Sequence, residues 1–166
     1  MSDWNVRRIF KELLDAEERK TMLADFWRHG DAATRLTAQD FLARTLHFRD
    51  ASIRKLTPER KAELLVSRIG NPESGTFLGS ALMQHHLQHR AEMMAAFLDR
   101  WGIANSNGQI EDDDVPPPDT ARVREAVEEL GASYDRRAVR LYLASAGLLM
   151  GDDWAAAMWP VVDEMA

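Results

Sequence analysis

Apolar residues return along the chain at three- and four-residue intervals and nowhere in a sustained alternation, so the pattern predicts helices throughout. Trp4, Val6, Ile9, Phe10, Leu13 and Leu14 form the first stripe, which runs out at Asp15. Asp15 followed by Glu18 has the form of a capping box, and Met22, Leu23, Phe26 and Trp27 supply a second apolar face before His29-Gly30 stops it. Thr37 with Asp40 repeats the N-cap signature at the head of a third helix carrying Leu42, Leu46, Ile53 and Leu56. Arg49 falls inside that stripe, where it must snorkel to the edge or pair with a carboxylate, since an unpaired buried guanidinium is costly. Thr57-Pro58 starts a short helix, with proline where no N–H is needed, and Gly70-Asn71-Pro72 ends it.

From Thr76 to Trp101 apolar residues surround most of the helical circumference, which predicts a long central helix buried on several sides and closed by Gly102. Residues 103–118, with four consecutive acids and three prolines, predict an exposed connection with a stiff extended end. Val123, Ala126, Val127 and Leu130 make one further helix; Ala138, Leu141, Tyr142, Ser145, Leu148 and Leu149 make the next. Asp152 or Asp153 caps a last helix bearing Trp154, Met158, Val162 and Met165, with Pro160 expected to kink or end it. The expected fold is all-α: one domain over residues 1–166, a compact bundle of about seven or eight helices around the helix at 76–101.

Composition narrows the function classes. With 166 residues, 45% hydrophobic and 29% charged, the chain is long and apolar enough to bury its own core. The absence of cysteine excludes disulfides, thiolate metal sites and thiol nucleophiles, and makes the cytoplasm the simplest setting. The opening residues MSDWNVRRIFKELL, charged every few positions, lack the apolar run of a signal peptide or membrane span. A net charge of −6 and a pI near 5.4 argue against nucleic acid or membrane as partner, and no basic recognition helix supports a helix-turn-helix at 37–69. The charge is uneven: residues 1–101 hold 16 basic against 14 acidic groups, residues 102–166 hold 5 against 13. The acids at Glu111–Asp114 are expected to be solvated, and the tryptophans to be core and interface anchors.

No glycine-rich phosphate loop, dinucleotide fingerprint, nucleophile elbow or calcium loop is present. The anomaly is on the central helix, where His85 and His89 stand one turn apart and Glu92 follows on nearly the same face, interrupting an apolar stripe. Imidazoles at that spacing can ligate a divalent metal, whether zinc, nickel, manganese or iron, with the carboxylate as third ligand, orienter or general base. A ligand from another helix, His47, His29 or a carboxylate, would complete the set. The alternative is that both histidines are interior groups hydrogen-bonded to neighbouring carboxylates or carbonyls. The segment His85-x3-His89-Arg90, running into AEMMAAFLDRWGI, resembles the His-x3-His-Arg segment of the DinB-like bundles. That resemblance implies a metal held by the pair and by a third histidine from an earlier helix, a role for which His47 is suited; in that family the helix lies nearer the chain's end. Two functions are therefore expected: first, a non-catalytic soluble helical protein acting through protein–protein contacts or as a homo-oligomer; second, a metal-binding bundle with hydrolase or transferase activity at His47, His85, His89 and Glu92.

Overall fold

The computed structural model describes residues 3–166. In chain order the described elements are α1 (Val6–Glu12), α2 (Ala16–His29), α3 (Ala32–Leu46), α4 (Asp50–Arg54), α5 (Pro58–Val66), a 3-10 turn at Pro72–Ser74, α6 (Gly75–His89), α7 (Ala91–Arg100), the strands β1 (Asn105–Ser106) and β2 (Gln109–Ile110), α8 (Thr120–Leu130), α9 (Arg136–Leu149) and α10 (Asp152–Glu164). The protein is all-α apart from that one hairpin. No helix among the described residues is long and apolar enough to cross a membrane. The chain divides into two compact units: Phe10–His85, and residues up to Ile9 together with His86–Ala166. The boundary falls inside α1 and inside α6.

In the Phe10–His85 unit the caps follow local chemistry. Asp15 accepts from the Glu18 backbone N–H at 2.8 Å while the Glu18 carboxylate accepts from the Asp15 N–H at 2.7 Å, so the capping box forms as expected. Arg19, one turn into α2, donates to the carbonyls of Phe10 (2.6 Å), Lys11 (3.2 Å) and Leu14 (2.9 Å), which serves the acceptors that end α1 leaves without helical partners. α2 packs most extensively on α5, around a core that includes Leu23, Phe26, Phe41, Ile53, Leu65 and Phe77. Gln84 of α6 donates to the Asp25 carbonyl at 2.9 Å, tying this end of α6 to α2.

Two helices of the sequence reading are each divided. The third helix starts at Ala32 and is capped by Asp31, whose carboxylate accepts from the Thr34 N–H at 2.9 Å. Thr37, expected as its cap, lies inside α3 and bonds back to the Ala33 carbonyl at 3.0 Å. This helix stops at His47, which adopts the left-handed conformation (φ 56°, ψ 36°), and Arg49 precedes α4 as an exposed residue outside the stripe. The expected helix at 76–101 is likewise α6 followed by α7, separated by Arg90 at φ −130°, ψ 16°. Burial along α6 is concentrated at Phe77, Leu78, Ala81, Leu82 and His86, whereas Met83, Leu87, Gln88 and His89 are exposed.

The second unit is organised by α9 and α10, its most extensively packed pair. Small residues allow this: Gly147 of α9 meets the Trp159 indole of α10 so closely that an added Cβ would lie 2.7 Å from Cδ1. α10 continues through Pro160, whose missing N–H leaves the carbonyl of exposed Ala156 to solvent. Trp4 is clamped beneath the Arg8 guanidinium, 3.9 Å from its ring centroid, and donates from Nε1 to Asp163 at 3.0 Å. Residues 103–118 fold locally rather than simply crossing over. Asn107-Gly108, both at positive φ (53° and 88°), form the turn of the β1–β2 hairpin, and Gly108 sits so close to Ala91 and Met94 of α7 that no side chain fits. Ile103, Gly108 and Pro118 are buried, while Glu111–Asp114 are exposed.

Candidate functional site

The four metal candidates occupy different settings. His47 is the exposed C-cap of α3, His85 is half-buried on α6, His89 is the exposed last residue of α6, and Glu92 is exposed in the first turn of α7, beyond the break at Arg90. His85 and His89 remain one turn apart on one helix. Among the described residues no three His, Asp or Glu side chains gather into a group able to hold a metal ion.

His47 belongs instead to a polar pocket of about 440 Å³ in the Phe10–His85 unit, lined by Arg44, Thr45 and His47 from the end of α3 and by Ser67, Arg68, Gly70 and Asn71 after α5. Arg44 is exposed and shared between two carboxylates: Nε meets Asp40 at 3.2 Å and Nη2 meets Glu73 at 3.0 Å. Glu73, and after it Asp40, raises the Arg44 pKa, so this cation is permanent. Arg68 is half-buried, and its Nε is shielded from water without a hydrogen-bond partner among the described residues. The hydroxyls are committed: Thr45 donates to the Phe41 carbonyl at 2.8 Å and Ser67 to the Leu64 carbonyl at 2.5 Å. Asn71 Oδ1 accepts from the Glu73 N–H at 3.0 Å, which leaves the amide's donor end over.

A histidine the sequence reading passed over lies in the second unit. His86 follows Leu78 and Leu82 at four-residue steps and is 3% exposed; its Nε2 stands 3.0 Å from the hydroxyl of Ser145, itself 1% exposed. The Ser145 hydroxyl also reaches the Leu141 carbonyl at 2.7 Å, so it is engaged both by its own helix and by the ring. Tyr142 packs edge-on to His86 with centroids 5.8 Å apart, and burial pushes its phenol pKa far up, which keeps it neutral. The signal for this cluster was present in the Leu78-Leu82-His86 spacing and in the serine among the small residues Ala144–Gly147.

Apolar exposure is uneven as well. Leu36, on the outer face of α3, is 63% exposed, and Phe48, next to His47 in the chain, is 51% exposed. No protein family, curated protein or solved structure matches this chain.

Proposed function

We propose that this chain is a non-catalytic helical binding protein of the cytosol that works by protein–protein contact, and that the outer face of α3 with the adjoining Phe48 is its contact surface. The observation that carries this reading is the pair Leu36 and Phe48, large apolar side chains left more than half exposed, one in the second turn of α3 and one just past its C-cap. Leu36, Asp40, Arg44 and His47 follow one another along that exposed face at three- and four-residue steps, so an apolar anchor is followed by charged groups able to set register. Covering Phe48 alone would contribute about 2 kcal/mol. The cysteine-free composition supports the cytosolic setting.

The test combines sedimentation velocity over a wide concentration range with a photo-cross-linking residue placed at position 48 and, as control, at position 60. The reading expects either concentration-dependent association that Leu36→Glu/Phe48→Glu abolishes, or a defined protein adduct formed from position 48 and not from position 60. A monomer at every concentration, with equal and diffuse cross-linking from both positions, would contradict it.

A further inference from the structure

We propose that the partner taken by the outer face of α3 is a second copy of this chain, seated antiparallel on it across a two-fold axis that crosses the helix near position 42. This rests on the contact surface proposed above and names its occupant.

The order of residues along the face is self-complementary. A surface that binds its own copy across a two-fold axis must present, at each position, the complement of what it presents on the other side of that axis. Leu36, Asp40, Arg44 and Phe48 meet this condition: all four are exposed, they stand four residues apart, and they run apolar, acidic, basic, apolar. Reversed about position 42, Asp40 falls opposite Arg44 of the second copy and Leu36 opposite its Phe48, and both halves of the interface are alike. At 1.5 Å per residue the charged pairs lie about 3 Å and the apolar pairs about 9 Å along the helix from the axis, so one pair of crossing helices accommodates all four contacts.

Phe48 lies past the C-cap, and the backbone turns it back. The N–H groups of His47 and Phe48 both donate to the Ala43 carbonyl, that of Phe48 at 3.0 Å, and His47 is left-handed between them and the helix. The Phe48 bond is the six-to-one closure of a Schellman motif, in which the residue after the left-handed one commonly packs toward the residue whose carbonyl it takes. Ala43 follows Leu36 by seven residues, close to two turns, and so shares its face of α3.

Charge favours a copy over a foreign partner. The Phe10–His85 unit holds 12 basic against 11 acidic groups, so two such units meet without net repulsion although the whole chain stands at −6. Arg44 gives Nε to Asp40 Oδ2 at 3.2 Å and Nη2 to Glu73 at 3.0 Å, bonds that leave Arg44 Nη1 and Asp40 Oδ1 over. Both side chains remain more than half exposed. Two copies therefore close a ring of alternating charge from their Asp40 and Arg44 side chains, with Leu36 against Phe48 on either flank. A face shaped for a strongly charged partner would carry one sign; this one alternates.

The experiment is sedimentation velocity on the full chain, on Asp40→Arg, on Arg44→Asp, and on an equimolar mixture of the two variants. The wild type should form a dimer, each variant should self-associate about tenfold more weakly because like charges now oppose one another, and the mixture should recover a one-to-one complex. Should Arg44→Asp fail to fold, Arg44→Gln is held to the same tenfold loss. Self-association that neither reversal weakens, or that the mixture fails to recover, overturns the antiparallel pairing. A wild type that stays monomeric into the millimolar range overturns the second copy as occupant; a defined adduct with another protein from the cross-linker at position 48 would then leave the contact surface standing, and its absence would remove both.

Discussion

The two units each enclose a polar group that the helical pattern did not foretell, and the fold serves the two unequally. In the unit built on α9 and α10, His86 Nε2 stands 3.0 Å from the Ser145 hydroxyl, which reaches the Leu141 carbonyl at 2.7 Å, and Tyr142 packs edge-on to the ring. In the Phe10–His85 unit, Arg68 Nε is sealed from water and has no hydrogen-bond partner among the described residues. Groups of the first kind contribute to stability through the fold's own bonds. A group of the second kind costs stability.

The largest effect should come from breaking the closed cluster. His86→Ala removes a ring 3% exposed and leaves a cavity against Tyr142 and Ser145, and should lower stability by about 3 kcal/mol in urea unfolding; a loss below about 1 kcal/mol would show that the cluster is not an integral part of that core. Next comes the close approach that assembles the same unit. Gly147→Ala forces the Trp159 indole away from α9, loosens its 3.3 Å bond to the Ala144 carbonyl, and should cost about 2 kcal/mol with a visible change in tryptophan fluorescence. On the other side of the comparison, His47→Gly removes a left-handed strain at the rim of the pocket. Allowing for glycine's greater freedom when unfolded, stability should rise by about 0.5 kcal/mol in the same assay. A decrease would mean that the His47 ring, and not only its backbone, holds the end of α3.

Much of this was legible in residue patterns, for physical reasons that also mark where legibility stops. The Asp15–Glu18 box and the Thr57-Pro58 start are short-range devices, complete within four residues, and both formed as the sequence predicts. Thr37 misled because a threonine can cap a helix or bond back within one, and only the neighbouring Asp31, equally fit to cap, decides between them. The breaks at His47 and Arg90 carry no glycine or proline, so no local signal announces them. By contrast Asn107-Gly108 did carry a turn signal, obscured because its strands are only two residues each, too short for alternation to show. The metal site expected at His47, His85, His89 and Glu92 is not gathered among the described residues. His47 instead lines a polar pocket with Arg44, one turn earlier on α3, and with Arg68, which only the fold brings there.

The most direct test of the central contrast is the unfolding free energy of Arg68→Met, measured alongside His86→Ala. Methionine keeps the aliphatic stem and removes the orphaned donor. The account expects no loss of stability, and a gain of up to about 1 kcal/mol. A loss of about 2 kcal/mol or more would show that Arg68 serves the fold itself.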